Sequence, residues 1–112
     1  GNFCVKRTKP ETMDIAGYMA TKCLEQYDMY LGIEELMPYA KGVSAKTHKF
    51  YADGNETEMD FKRIFDIIKK SGFDGIVGIE YEGGLMHAQG MEGYVSNEDG
   101  IRATKKLIEL SA

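Results

Sequence analysis

Cysteine and long apolar runs are scarce in this chain of 112 residues. The two cysteines, Cys4 and Cys23, have neither CxxC spacing nor the density of a disulfide framework. We therefore expect both to be reduced thiols, with Cys23 packed on a helix face. No apolar run is long enough to span a bilayer, and the N-terminus has no apolar segment typical of a signal peptide. These absences predict a cytoplasmic protein without a membrane partner.

Positive charge is also in short supply. The chain has 14 Lys and Arg against 18 Asp and Glu, a formal net charge of -4 at pH 7. This balance disfavours nucleic acids and anionic membranes as partners. The content of 43% hydrophobic and 29% charged residues is typical of an ordinary globular chain, long enough for one domain with a single core.

The stretch 75–84 predicts a buried strand that ends in carboxylates. Its β-branched residues suit a packed, pleated surface. Alternation places Gly78, Glu80 and Glu82 on one face of the strand. Ligands of α/β proteins bind at the carboxyl ends of strands, so the two glutamates are candidate site residues. The alternative is that they form only the solvated end of a strand.

Apolar spacing and capping signals predict three helices and two strands. We expect helices at about 13–31, 60–71 and 97–110, and strands at about 42–48 and 75–81. Strands that are separated by helices imply a parallel sheet with right-handed crossovers. Because two strands leave open sheet edges, we expect a homo-oligomer, most simply a twofold dimer.

The strand at about 42–48 has one face that is polar throughout, with Ser44, Lys46 and His48. Parallel pairing would bring this face to the same end of the sheet as Glu80 and Glu82. An imidazole beside a carboxylate is half of a divalent metal site. A lysine nearby can hold a substrate oxygen or stabilise an enolate. The alternatives are a solvated histidine and a surface ion pair of Lys46 with either glutamate.

The loop 83–94 is long for a connection between a strand and a helix, and it contains four glycines. Long loops at this end of a sheet are often functional. His87 is therefore a candidate substrate-binding residue, with a solvated loop histidine as the alternative.

The sequence also resembles a known family in the runs 36–46, 54–56, 60–61, 72–75 and 79–83. These runs are similar to the C-terminal part of sugar phosphate isomerase/epimerase proteins, of the xylose isomerase-like TIM-barrel superfamily. The resemblance implies an α/β fold that is the C-terminal portion of a (β/α)8 barrel. Residues 1–112 would then be a single partial-barrel domain that contains the last two barrel strands.

The resemblance implies a divalent metal (Mn, Mg, Co or Zn) and a small carbohydrate substrate. Glu80 matches the family's last-strand metal ligand, and His48 is the expected second ligand. Ser44 stands where the family usually has a histidine. Glu80 and Lys46 are the expected catalytic residues.

The remaining expected substrate-binding residues are Asn2, Ser44, Glu82 and His87. Asn2 falls where many family members have a histidine that contacts the substrate. The carboxylate ligands that the family takes from earlier strands have no counterpart in this chain.

Two functions are therefore expected for this chain. In the first, it is a fragment of a metal-dependent sugar isomerase or epimerase, completed by an N-terminal half-barrel that lies upstream of Gly1 or on another chain. In the second, it is a non-catalytic half-barrel without metal, serving as an oligomeric binding or structural module.

Overall fold

A computed structural model describes residues 3–112 and shows an α/β structure with two small sheets. The strands are β1 Cys4–Arg7, β2 Cys23–Gln26, β3 Gly42–Thr47 and β4 Ile76–Tyr81. The helices are α1 Ile15–Met19, α2 Met29–Leu36, α3 Phe61–Lys70, α4 Gly84–Ala88 and α5 Asn97–Ser111, with a 3-10 turn at Met37–Tyr39. No helix in this described part is both long and apolar enough to cross a membrane.

Strands β3 and β4 pair in parallel, and α3 lies between them in the chain. Their register places Lys46 opposite Glu80. Helix α3 begins where the Asp60 carboxylate accepts the backbone N–H of Arg63 at 3.0 Å. These elements agree with the predicted strands and the predicted central helix, because their capping and periodicity signals are local.

One face of the β3–β4 pair packs against α3 and α5 and forms the core. Thr47 and Thr104 are fully buried there, with their hydroxyl oxygens 2.6 Å apart. Thr104 donates its proton to the carbonyl of Gly100 at 2.7 Å, so Thr47 donates to Thr104. Both buried hydroxyls are thus satisfied. The apolar residues of the core are Met37, Ala45, Phe61, Phe65, Ile68 and Leu107.

The long helix predicted at about 13–31 is wrong. This range contains α1, β2 and the first residues of α2. Thr8 pairs with Lys22, donating its backbone N–H to the Lys22 carbonyl and accepting the Lys22 N–H on its hydroxyl, both at 2.9 Å. Hydrogen bonds between two residues that are distant in the sequence therefore take the place of helical hydrogen bonds. Leu24 and Leu31, which belong to the apolar spacing that favoured a helix, are 61% and 45% exposed.

The expectation of two reduced cysteines is also wrong. Cys4 and Cys23 form a disulfide, and Cys23 lies on β2 rather than on a helix face. The antiparallel pairing of β1 with β2 brings the two Cα atoms to 5.9 Å, a separation that a disulfide spans. Spacing alone did not indicate the bond, because a separation of 19 residues matches no short cysteine motif.

The predicted C-terminal portion of a (β/α)8 barrel is contradicted by the sheet topology. The described residues form one antiparallel and one parallel two-stranded sheet, rather than a set of parallel barrel strands. Both strands of the antiparallel sheet were missed, since they are short and largely exposed and have no buried face to set a pattern. The elements β3, α3, β4 and α5 are the part of the fold that the predicted order describes.

Replacing Phe65 by Ala should destabilise the fold by about 3 kcal/mol or more, because the change leaves a cavity in the core. The ring is only 5% exposed and packs in the core beside Phe61. Leu110→Ala is the matched control, since that side chain is 72% exposed and should change stability by less than about 0.5 kcal/mol. Urea unfolding measures both changes, and equal losses would show that the Phe65 face is not part of the core.

The disulfide should protect both cysteines from alkylation. Iodoacetamide should modify neither Cys4 nor Cys23 in the folded, unreduced chain, and both after reduction, as counted by mass spectrometry. Reduction should also lower the free energy of unfolding by about 3 kcal/mol, the loop-closure value for a cross-link of this span. The control is the Cys4→Ser/Cys23→Ser variant, whose stability should not respond to reductant. Alkylation of both thiols before reduction would contradict the pairing.

Candidate functional site

The uncovered face of the β3–β4 pair carries five polar side chains: Ser44, Lys46, His48, Glu80 and Glu82. We call this set the polar cluster. Strand alternation explains the arrangement, because the other face packs against the helices. His48 and Glu82 directly follow β3 and β4, so the cluster extends to the carboxyl ends of both strands.

Hydrogen bonds and ion pairs connect all five members of the polar cluster. The Nζ atom of Lys46 lies 3.2 Å from Oε1 of Glu80 and 2.8 Å from Oε1 of Glu82. Ser44 donates its hydroxyl proton to Oε2 of Glu80 in a short hydrogen bond. Nε2 of His48 lies 3.5 Å from Oε2 of Glu82. The five side chains therefore lie together, as the predicted parallel pairing requires.

The hydrogen bonds of the polar cluster favour the charged forms of Glu80 and Lys46. The hydrogen bond from Ser44, followed by that from Lys46, lowers the pKa of Glu80 below its usual value. The hydrogen bond to Glu82 is the main cause of the raised pKa of Lys46. These side chains are between 33% and 43% exposed, so solvent screens the ion pairs and each contributes little to stability.

The two metal ligands predicted from the sequence, His48 and Glu80, contact different side chains. His48 is close to Glu82, whereas Glu80 is bound to Ser44 and Lys46. Within residues 3–112, no group of three or more His, Cys, Asp and Glu side chains is arranged to hold a metal ion. The Lys46 ammonium already supplies a positive charge between the two carboxylates. Glu80 offers a suitable oxygen donor, but these residues do not complete a coordination shell.

The other predicted substrate-binding residues lie elsewhere. His87 is exposed on α4, and its Nδ1 atom lies 3.0 Å from the carbonyl oxygen of Tyr94. This contact joins α4 to the last residue of the glycine-rich loop 83–94. Asn2 falls outside the described residues, so its predicted role is untested.

A cleft of about 760 Å³ opens beside the polar cluster. Its lining includes His48, Glu82 and residues of α1. Sequence reasoning missed the contribution of α1, because it placed the same residues in one long helix. Asn97 was missed as a lining residue as well, since the sequence indicated only the beginning of the last predicted helix there. The cleft is lined by Pro10, Thr12, Met13, Asp14, Ile15, Tyr18, Met19, His48, Tyr81, Glu82, Gly84, Leu85, Met86 and Asn97.

Tyr81 fixes the loop that borders the cleft. Its hydroxyl donates to the carbonyl of Val95 at 3.0 Å and accepts the N–H of the same residue at 3.2 Å. Its ring stacks on Phe50 at 6.1 Å between centroids. A side chain at Gly83 would collide with the Tyr81 hydroxyl and the His48 carbonyl, so glycine is required for this close approach.

Comparison with models of known protein families and with curated proteins gives no match for this chain. The family resemblance of the sequence runs therefore remains a prediction. The geometry of the polar cluster and the cleft is the basis for any functional assignment.

Ser44→Ala should raise the pKa of Glu80 towards the ordinary glutamate value of about 4.3, because the main hydrogen bond that lowers it is lost. Carbon-detected NMR titration of the Glu80 carboxyl group measures this change. Ser71→Ala is the control, since its hydroxyl bonds to the Ile68 carbonyl on α3. An unchanged Glu80 pKa in Ser44→Ala would contradict the assigned hydrogen bond.

The lowered pKa of Glu80 also predicts how the stability of the fold changes with pH. Because the pKa of Glu80 is lowered in the folded state, its interactions stabilise the fold above the ordinary pKa of about 4.3. That stabilisation should be lost as the pH falls through the folded-state pKa. The Ser44→Ala variant should lose a smaller part of its stability over this acidic range than the unmodified chain.

Proposed function

We propose that the polar cluster is the proton-transfer and substrate-binding part of a carbohydrate isomerase or epimerase. The supporting observation is the Lys46 ammonium, which lies within 3.2 Å of one carboxylate and 2.8 Å of another on a solvent-open face. Proton transfer between neighbouring sugar carbons needs an acid–base group and a positive charge near the developing enediolate oxygen. The polar cluster contains both.

The contacts favour a division of roles within the polar cluster. Glu82 takes the proton from the carbon next to a carbonyl group and returns it to the former carbonyl carbon, while the proton of the neighbouring hydroxyl passes to the former carbonyl oxygen. Lys46 stabilises the negative charge that develops on the enediolate oxygen. Glu80 stays ionised and holds the ammonium, since Ser44 and Lys46 already bind its oxygens. His48, beside Glu82, is placed to hydrogen-bond a substrate hydroxyl.

The resemblance to sugar phosphate isomerase/epimerase proteins supports the same reaction class and adds a divalent metal. Such an ion would take Glu80 as a ligand and would polarise the substrate carbonyl. Because the described residues do not complete its coordination, we propose that a complementing chain or a second copy supplies further ligands. The residues of this chain would then bind the sugar and move its proton.

An enzyme of this class would act in the cytoplasm, and we propose that location. Cytosolic thiols are kept reduced, so the Cys4–Cys23 bond would open there. The polar cluster lies on β3 and β4, in the other sheet, and it should form in either redox state.

A second candidate is a non-catalytic module that assembles through its open sheet. Ile76 on β4 is 81% exposed and Ile79 is 40% exposed. A two-stranded sheet also leaves backbone edges that can pair with another chain. These features favour an oligomeric binding module without requiring any chemistry at the polar cluster.

Binding of an enediolate analogue distinguishes the two candidates. A hydroxamate analogue of a sugar enediolate should bind at least about tenfold more tightly than the matching ketose, because catalytic sites favour the transition state. Heteronuclear NMR should show shifts at residues 44–48 and 80–82. Glu82→Gln should abolish the preference, whereas Glu109→Gln, on the exposed surface of α5, should retain it. Equal affinity for ketose and analogue would favour the non-catalytic module.

Manganese tests the metal part of the proposal separately. Mn²⁺ should broaden the signals around Glu80, and Glu80→Gln should remove this effect. Broadening confined to the acidic loop at 53–60 would contradict Glu80 as the ligand.

A further inference from the structure

The disulfide encloses a part of the chain that supplies half of the lining of the cleft. Cys4 and Cys23 lie on β1 and β2, and residues 8–22 connect these two strands. We call residues 8–22 the enclosed segment. Seven of the fourteen residues that line the cleft belong to it, from Pro10 to Met19. The other seven lie on β4, α4 and α5 or directly after β3 and β4.

The enclosed segment makes its hydrogen bonds inside the disulfide-bonded unit. In the part of the chain that the structure describes, each of these bonds has its partner within residues 4–23. Asp14, for example, accepts the backbone N–H of Gly17 at 2.7 Å. None of the ion pairs in the same described range involves the segment. Its place beside the cleft therefore depends on the two strands to which it is joined.

The β1–β2 sheet is a weak anchor without the cross-link. Each strand has only four residues, their pairing is irregular at two points, and every residue of β2 is exposed. Two-stranded sheets that stand alone are marginally stable in water. A disulfide that closes a loop of this span favours the closed form by about a hundredfold. Much of the order of the enclosed segment is therefore expected to come from the disulfide.

A dithiol reductant can open this bond, because Cys23 lies on the exposed strand β2. One sulfur of the dithiol, as its thiolate, attacks Sγ of Cys23, breaks the S–S bond and releases Cys4 as a thiolate that takes up a proton. The second sulfur of the dithiol then displaces Cys23, which is protonated in turn. The dithiol leaves as a disulfide, having passed two electrons and two protons to the protein.

We propose that the Cys4–Cys23 bond is a redox switch for the cleft. Reduction releases the enclosed segment, and reoxidation returns it. The polar cluster lies in the other sheet and keeps its contacts in both states. The oxidised chain thus presents a cleft of about 760 Å³, and the reduced chain presents the polar cluster without the lining that α1 supplies. The switch does not require the proposed chemistry of the polar cluster, since it acts on any ligand of the cleft.

Methionine methyl signals in NMR spectra follow this switch. Met19 and Met86 line the cleft, on α1 and α4, and Met37 is an internal control because it is buried in the core. Reduction with dithiothreitol should move the Met19 signal towards that of an unfolded chain. It should also shift the Met86 signal, although Met86 is far in the sequence from both cysteines. The Met37 signal should stay at its folded position.

Proteolysis measures how often the enclosed segment opens. Chymotrypsin should cut after Tyr18 at least about tenfold faster in the reduced chain, since loss of the cross-link enlarges the open population. Tyr39 is the matched control, because it is 80% exposed on the 3-10 turn outside the disulfide loop, and its cleavage should stay nearly constant. The Cys4→Ser/Cys23→Ser variant should behave like the reduced chain and should not respond to the reductant.

Three results would overturn the switch. Unchanged Met19 and Met86 signals in a chain with two alkylated thiols would show that the segment keeps its place without the bond. Equal acceleration of cleavage after Tyr18 and Tyr39 would show a general loss of stability rather than the release of one segment. A Met37 signal that leaves its folded position on reduction would show that the rest of the fold does not survive the change.

Discussion

Burial of one face of β3–β4 against α3 and α5 is the constraint on which the rest of this structure depends. Phe65 and Leu107 fill the space between the sheet and the helices. Within this space Thr47 donates a hydrogen bond to Thr104. Since strand residues alternate, fixing this face fixes the other one. The packing therefore holds the two strands in the register that brings Lys46 opposite Glu80.

The functional consequence appears on the face of the β3–β4 pair that none of the helices in residues 3–112 covers. Its polar side chains satisfy one another, and Lys46 balances part of the charge of Glu80 and Glu82. Solvent reaches these groups, so their pairing adds little to stability and remains available for a ligand. Such a cluster would be costly to place in a core, but an open sheet face accommodates it and lets it exchange its internal contacts for contacts with a ligand.

The N-terminal segment contributes part of the lining of the cleft rather than another strand of the β3–β4 sheet. The β1–β2 pairing and, in the oxidised chain, the Cys4–Cys23 bond connect the two ends of this segment. Helix α1 lies between them in the chain and lines the same cleft as His48 and Glu82. The cleft therefore combines polar residues at the strand ends with apolar residues of α1 and α4.

The sequence by itself determined β3, α3, β4 and α5, together with the polar face, because capping residues and apolar periodicity are local signals. It did not determine β1–β2, the Cys4–Cys23 bond or the cleft, and it wrongly favoured a long helix and part of a barrel. Only the tertiary structure decided these, since they depend on contacts between distant residues. Apolar spacing favours a helix only as long as no other arrangement satisfies the backbone. Here hydrogen bonds between residues far apart in the sequence, such as Thr8 and Lys22, do so instead.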